Sequence, residues 1–573
     1  GLGSGSLGTA LTTGTDNVAI GEAALDAVTG GADNTAVGDN ALGANTTASN
    51  NTAVGSSALL ANTTGADNVA LGYLALDANT TGASNTAVGS GALGANTDAN
   101  NNTAVGTDAL DANTTGHSLT GLGVNALGAN TTANHNVAVG NNSLLVNTTG
   151  ASNTAVGSAA LDANTTASNN VAVGYQALTA NTTGTPNTAV GTNALAAATT
   201  GTNNVAVGYG ALDAGNPSYN VAVGVNALGA VATGTSNVAM GTGALGANTT
   251  GAYLVSVGHD ALATNTTVDG LTAVGYTALT ANTTGTKNTA VGYNAADANT
   301  TGAENTAIGY EVLSAVTTGG YNTGVGSEVL LLNTGDHNTA MGRIALNRNT
   351  SGANNVAVGS RALYANTTAD NNTALGYNTL TANTTGTDNV AVGSSALDAN
   401  TGGDNNTAIG DNALGANIGA DNNTAVGSSA LLLNSTGTNN VAVGSQALDA
   451  HTTANYNVAV GHAALTTTTT SGYNTAVGGE ALYSNTAIDN TAVGAVALYA
   501  NSTGAANTAV GRNALKLNTT ASNNVAVGYN ALTANTTGTS NVAVGYAALT
   551  TTTTGDDNVA IGYNALTLTT GDD

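Results

Sequence analysis

The sequence contains no cysteine, no tryptophan and no phenylalanine, and it has only two prolines and six Lys plus Arg. Without cysteine there are no disulfides and no thiolate metal ligands. Without the larger aromatics, which supply much of the buried area in ordinary cores, the 41% hydrophobic content has to bury small residues in some other way. Charged residues make up 7% of the chain, against about 25% in a typical globular protein. The net charge is −26. So few cations cannot replace the counterions of a phosphate backbone, which excludes a nucleic-acid partner. They also leave few tryptic sites, which suits exposure outside a cell. No apolar run approaches the roughly 18 residues of a membrane span, so no membrane insertion is expected. The 78 glycines follow no three-residue period, which excludes collagen.

What is present is a repeat. A glycine closing an Ala-Val-Gly-like triplet recurs from Gly21 to Gly562 in 33 copies, and 29 of the 32 intervals are 17 residues while three are 16. The unit reads N-[T/V]-A-[V/I]-G-x-x-A-L-x-A-N-T-T-[G/A]-x-x. Nothing interrupts it, so 1–573 reads as a single continuous repeat domain rather than the three or so domains its length would suggest. The residue before the glycine is always Val, Ile, Leu or Met, and the residue four after it is Leu in 32 copies, with Ala296 the exception.

Asn-Val-Ala-Val-Gly, with β-branched residues at alternate places, predicts a short strand. Ala-Leu-x-Ala-Asn predicts a second one, because Asn-Thr-Thr-Gly turns the chain at once and leaves no room for a stable helix. Each 16-residue interval loses its residue between the Asn of the second run and the Asn opening the next unit, as in 215–220 and 485–490. A strand cannot lose one residue without exchanging its faces, so the Thr-Thr-Gly side is the loop. The expected fold is an all-β parallel β-solenoid, a β-roll of about 34 coils with two strands per coil. At ~4.8 Å per rung it would be a rod on the order of 160 Å long.

Two further expectations concern side-chain placement. Asn stands four before the glycine in 30 copies and often seven after it, which suits hydrogen-bonded ladders. Leu119, Leu254 and Leu271 should break the first of them. Alternation puts the valines inside and a flat face of Ala and Gly outside. A face that small suits close approach of another chain, which predicts self-association, most simply as a homotrimer. A tight inner bend is the alternative use for such small residues. The repeat runs close to both ends without a distinct cap, with Gly1-Leu2-Gly3 reading as the end of a strand and Asp573 stopping before the next Asn. That is expected either of the repeat region of a longer chain or of rods that join end to end into a filament.

The columns Asn-Thr/Val-Ala-Val/Ile-Gly resemble the head repeats of YadA-like trimeric autotransporter adhesins, which have a shorter repeat. The whole unit is similar to the AVGYxAL…NTTG repeats of bacteriophage tail fibres and bacterial surface fibres. The resemblance covers the chain from Asn17 onward. It implies a trimeric β-roll fibre used for attachment, located outside the cell, on a cell surface or on a virion, with a cell-surface or glycan ligand.

Candidate chemistry is sparse, and no enzyme activity, cofactor or metal site is expected. The six histidines (117, 135, 259, 337, 451 and 462) are scattered over different columns and read as solvated surface, although His117 and His135 lie about one coil apart. Asp26, Asp77, Asp111, Asp162 and Asp398 share one column and read as solubilising charge, with weak surface calcium as the rival. The Asn-Thr-Thr triplets are formal N-glycosylation acceptors, but an Asn engaged in a ladder is occupied. Threonine arrays on a solenoid can order water, so ice binding is a rival class, as is the shaft of a phage tail fibre. Ten of the 18 tyrosines directly follow the column glycine. Tyr73, Tyr175, Tyr276, Tyr293, Tyr310, Tyr529, Tyr546 and Tyr563 form the candidate contact track. The functional expectation is an extracellular structural fibre with an adhesive or spacer role.

Overall fold

The computed structural model describes residues 1–8 and 11–567; Asp573 lies outside them. Two compact units are present, Gly1–Lys287 and Asn288–Asp573, and both are built from the same coil. Among the described residues the first holds sixteen strands, β1 (Val18–Ile20) to β16 (Thr272–Val274), and the second seventeen, β17 (Thr289–Val291) to β33 (Val559–Ile561). Within each unit a strand pairs in parallel with the next in chain order, column opposite column. Val18, Ala19 and Ile20 face Thr35, Ala36 and Val37 in the first unit, and Val525, Ala526 and Val527 face Val542, Ala543 and Val544 in the second. Leu2 bridges Ile20 in the same sense. The architecture is therefore an all-β parallel β-solenoid with one turn per 17-residue repeat, and no helix occurs among the described residues.

Each turn has one strand, not two. The run expected to be a second strand is a chain of overlapping turns with left-handed residues two and four after the glycine. In one coil these are Ser57 (φ 56) and Leu59 (φ 54). Its backbone alternates between bonds within the coil and bonds to the next. Asn62 N–H donates to the Leu59 carbonyl at 3.4 Å, while Leu59 N–H donates to Ala75 of the following turn at 2.9 Å. The φ sign decides the matter, since left-handed residues cannot continue a pleated strand.

The faces of the true strand are also opposite to expectation. The central Ala is fully buried, as at Ala53 and Ala70, while the flanking Thr or Val and the residue before the glycine are half-exposed or exposed. Two substitutions within the column fix the direction. Ser256, standing where Ala is usual, is fully buried and donates its hydroxyl to the Ala261 carbonyl of its own coil at 2.7 Å. Gly324 stands in the same column one turn after Val312, which replaces the usual Ala three after the glycine. A Cβ at Gly324 would lie 2.5 Å from a Val312 methyl. The interior is narrow: in a typical coil Leu, two Ala and two Asn fill it.

The column glycine is half-exposed, but its missing Cβ points at the next turn rather than outward. At Gly55 φ is +138°, and a Cβ there would run into the Gly72 carbonyl of the next turn. Neither the Ala nor the Gly column is thus available as a contact face. The expected flat Ala and Gly face is therefore absent, because the Ala column is packed inside the coil and the Gly column against the next turn.

Both asparagine ladders are present, and they differ. In the first, Oδ1 of one Asn accepts the backbone N–H of the Asn one turn on, as from Asn51 to Asn34 and from Asn68 to Asn51, each at 3.0 Å. In the second, side chains bond directly: Asn79 Nδ2 donates to Asn62 Oδ1 at 2.9 Å, and Asn96 Nδ2 to Asn79 Oδ1 at 2.8 Å. The two ladders meet on one carbonyl per coil. Gly82 O accepts Asn68 Nδ2 and Asn79 Nδ2, each at 2.9 Å, so the beginning and end of the turn are tied together. All these groups are buried, where an unmet amide would cost about 1–3 kcal/mol. Leu119 and Leu254 break the first ladder on one side only, whereas Leu271 follows Leu254 and has no ladder oxygen before it. Leu119 N–H still donates to Asn102 Oδ1 at 3.0 Å, but a leucine side chain has no oxygen to offer the next rung.

The 16-residue coils keep strand register, with Val205 still opposite Val221. In two of them the second-ladder Asn reaches the closing carbonyl two residues on instead of three: Asn333 to Gly335 and Asn485 to Ala487, both at 2.8 Å. The lost residue comes from the Thr-Thr turn, as the loop assignment expects.

Candidate interaction surface

The outward strand face is the most extensive feature on either unit. Its two columns are Thr or Val, then always Val, Ile, Leu or Met. The second column is substantially exposed, at 38% for Val54 and 47% for Leu375. A water-facing strand ordinarily carries charge or polarity there. Here a continuous aliphatic ridge repeats at every rung, which is the kind of surface that marks a contact site in soluble proteins.

The tyrosine column after the glycine lies beside this face. Tyr73, Tyr175, Tyr276, Tyr293, Tyr310, Tyr529, Tyr546 and Tyr563 are all exposed. Parallel rungs bring some of them into stacks: Tyr293 with Tyr310 at 5.4 Å between centroids, Tyr529 with Tyr546 at 5.3 Å, and Tyr546 with Tyr563 at 5.1 Å. Tyr276 stacks on His259 at 5.4 Å. Tyr73 and Tyr175 are not brought together with others of the set; Ser or Thr occupies the neighbouring rungs of their column. Stacked rings cover one another's faces and leave edges and hydroxyls outward, whereas Tyr73 and Tyr175 keep ring faces open. Glu311 hydrogen-bonds the Tyr310 hydroxyl and its charge stands nearby, which together push that phenol up.

Two more aromatic columns escaped the sequence reading, although the 17-residue spacing encodes them. One lies just before the first-ladder Asn, where Tyr456 stacks on Tyr473 at 5.3 Å and Tyr321 on His337 at 4.7 Å. The other lies five after the glycine, where Tyr483 stacks on Tyr499 at 5.2 Å.

His117, His135, His259, His337 and His462 are exposed, as expected of solvated surface, but His451 and part of the aspartate column sit differently. His451 is fully buried in the second ladder. Its Nδ1 pairs with Asn434 Oδ1 and its Nε2 with Asn457 Nδ2, each at 3.1 Å. Burial pushes its pKa down to about 4. In the aspartate column five after the glycine, Asp77, Asp162 and Asp398 are half-buried while Asp26 and Asp111 are exposed. For Asp77, Asp111 and Asp398 burial raises the pKa, with backbone N–H donors partly opposing it. Asp162 accepts the Thr179 hydroxyl of the next turn at 2.6 Å. His135 N–H donates to the His117 carbonyl at 3.2 Å, which places these two on adjacent rungs through their backbones. Among the described residues, no group of three or more His, Cys, Asp or Glu side chains could hold a metal ion.

No protein-family model matches the chain, and no curated protein is significantly similar to it.

Proposed function

We propose that this chain is a non-enzymatic structural fibre module that works as a side-by-side assembly of copies, most simply a parallel trimer, and spaces or presents contact surfaces outside a cell. The observation that carries this reading is the outward strand face. A column that is aliphatic at every rung and yet faces water would be a liability in an isolated chain. A second copy is the occupant that fits, because only a surface with the same rung spacing can match it side chain for side chain over many turns. The area is sufficient. Sixteen rungs at ~4.8 Å and a strand ~10 Å wide give roughly 700 Å² on the first unit alone, close to the ~800 Å² per partner of a stable interface.

An adhesive role is supported by the open ring faces of Tyr73 and Tyr175, which can pack on the apolar face of a sugar. Ice binding has less support. The Thr-Thr run is a bend rather than a flat strand, and its first hydroxyl is spent on the next turn, as Thr63 Oγ1 donates to the Thr80 carbonyl at 3.0 Å.

Sedimentation equilibrium tests the assembly. The expected mass is three times 54.6 kDa, falling to one chain when Val88 and Val105 are changed to Lys with the circular dichroism unchanged. A wild-type chain that stays monomeric at high micromolar concentration would sink the proposal.

A further inference from the structure

A chain with 32 Asp plus Glu and six Lys plus Arg gathers three of those six cations, Arg343, Arg348 and Arg361, on two consecutive turns. All three are exposed. The guanidinium carbons of Arg348 and Arg361 lie 4.8 and 5.2 Å from the ring centroid of Tyr364, where the ring quadrupole attracts them. One tyrosine thus holds two cationic heads beside it. Arg361 N–H donates to the Arg343 carbonyl at 3.1 Å, so Arg343 stands on the adjoining rung. Glu328 lies on the turn before Arg343, yet none of the three arginines is ion-paired; among the described residues the ion pair is His259 with Asp260. Their planar forks of donors are therefore left for something outside the chain.

A second feature borders this patch. Tyr377 follows the next column glycine and is 57% exposed. Ser360 and Ser394 occupy the rungs on either side of it in its column, so no ring covers its face as rings do in the Tyr293 or Tyr546 stacks. Asn378 N–H donates to the Ser360 carbonyl at 3.1 Å, which seats the turn of Tyr377 directly on that of Arg361. Ser360 immediately precedes Arg361. The open ring and the free fork accordingly stand on neighbouring rungs, ~4.8 Å apart along the stack.

An exposed aromatic face packs on the C–H face of a sugar ring. A guanidinium fork matches a carboxylate or a sulfate with two parallel hydrogen bonds. One ligand satisfies both groups, and that is an acidic sugar. The charge of the whole chain narrows the choice further. A net −26 works against a polyanion laid along the stack. Screening over ~8 Å at physiological ionic strength still lets the patch act on a single charge. An acidic side chain of another protein would fill the forks but would leave the Tyr377 face uncovered.

We propose that Arg343, Arg348, Arg361 and Tyr377, with Tyr364 as the support of two of the arginines, bind an acidic sugar, a residue bearing one carboxylate or sulfate within an otherwise neutral glycan. The arginines take the anion and Tyr377 takes the ring. This names a ligand for the contact surfaces that the fibre module is proposed to present outside a cell, and it rests on that reading. It does not need the side-by-side assembly, because none of the five residues lies on a strand.

Saturation-transfer NMR on the intact chain tests the site, with methyl glucuronide, methyl glucose 6-sulfate and neutral methyl glucose as probes. Transfer to the acidic sugars in the millimolar range, and little to methyl glucose, is expected; the tighter of the two acids identifies the anion. Arg348→Gln with Arg361→Gln should weaken that binding by about tenfold or more, the worth of a charge-assisted contact. Tyr377→Ala should weaken it severalfold for both acids. Arg512→Gln with Lys516→Gln removes the same charge elsewhere and should leave binding unchanged. Equal binding of methyl glucose, an equal loss in the Arg512 and Lys516 variant, or no transfer to either acid would overturn the site. Sedimentation of the same samples separates this from the assembly. A trimer without sugar binding overturns the site alone, whereas a monomer that binds overturns the assembly and leaves the site standing. A wild-type chain that binds no sugar, and whose arginine variant loses mass, assigns the patch to contact between copies instead.

Discussion

Asn457 donates its side-chain amide to Nε2 of His451 at 3.1 Å, and this fixes the histidine as neutral, with its proton on Nδ1 directed at Asn434. The imidazole stands in for a ladder asparagine, donating down to the previous turn as an amide would. A second proton would put a charge in a buried ladder whose adjacent amide nitrogen has only hydrogens to offer.

Stability around this turn should therefore depend on pH. The unfolded histidine takes up a proton as pH falls through 6.5, while the folded one resists until about 4. The unfolded state binds more protons in that window, so stability is complete above it, declines through it and levels off below it. The total loss is about 3 kcal/mol, from 1.36 kcal/mol per pKa unit. Hydrogen exchange of amides in 434–474 should accelerate between pH 7 and 4.5, after correction for intrinsic rates. His451→Asn should flatten that dependence; an unchanged profile in the variant would show that other groups are responsible.

Two glycines separate conformational need from mere presence. Gly55→Ala forces a side chain into the Gly72 carbonyl at φ +138°, whereas a Cβ at Gly419 meets nothing within 4 Å. Gly55→Ala should cost at least about 3 kcal/mol, through strain plus a displaced turn, and Gly419→Ala less than about 0.5 kcal/mol. Urea unfolding or local hydrogen exchange distinguishes them.

Val312 and Gly324 form a size-matched pair, a larger side chain on one turn and a missing one on the next. Gly324→Ala alone should destabilise by about 1–3 kcal/mol through overpacking. Combined with Val312→Ala it should recover most of that loss, since contacting residues couple by about 0.5–3 kcal/mol. Additive effects in the double-mutant cycle would refute the pairing.

Formal glycosylation acceptors divide by burial. Asn79 of Asn79-Thr80-Thr81 is fully buried, with its amide committed to Asn62 and Gly82. Asn50, Asn101 and Asn405 each open an Asn-Asn-Thr triplet and are exposed. In a host that N-glycosylates secreted chains, mass spectrometry of the folded protein should find any glycan on the exposed set and none on Asn79.

The repeat, the single strand at Thr/Val-Ala-Val, both ladders and the site of the shortened turns were legible because each leaves a column of invariant chemistry. The direction of the strand was not. A monomer-centred reading puts Val inside, because an outward aliphatic column makes sense only with a partner or an interior too narrow for Val. Ser256, buried and bonded to Ala261, is the one residue whose polarity could have raised the question. The second run misled for another reason. A left-handed Leu such as Leu59 costs roughly 1–2 kcal/mol, and no propensity scale anticipates it. Full burial of its side chain returns a comparable amount, about 1.5–3 kcal/mol. His451 was hidden in a scatter of histidines because only its match to the ladder-Asn column sets it apart.

The shared carbonyl that ties both asparagines of a coil, such as Gly82, has a genetic consequence. Most turns are closed by their own atoms and hand their neighbours the same strand edge and the same amides. An in-frame duplication or deletion of seventeen codons can begin at any position in the repeat and still join like to like. Recombination between copies can thus lengthen or shorten the stack one turn at a time without a new sequence having to be invented.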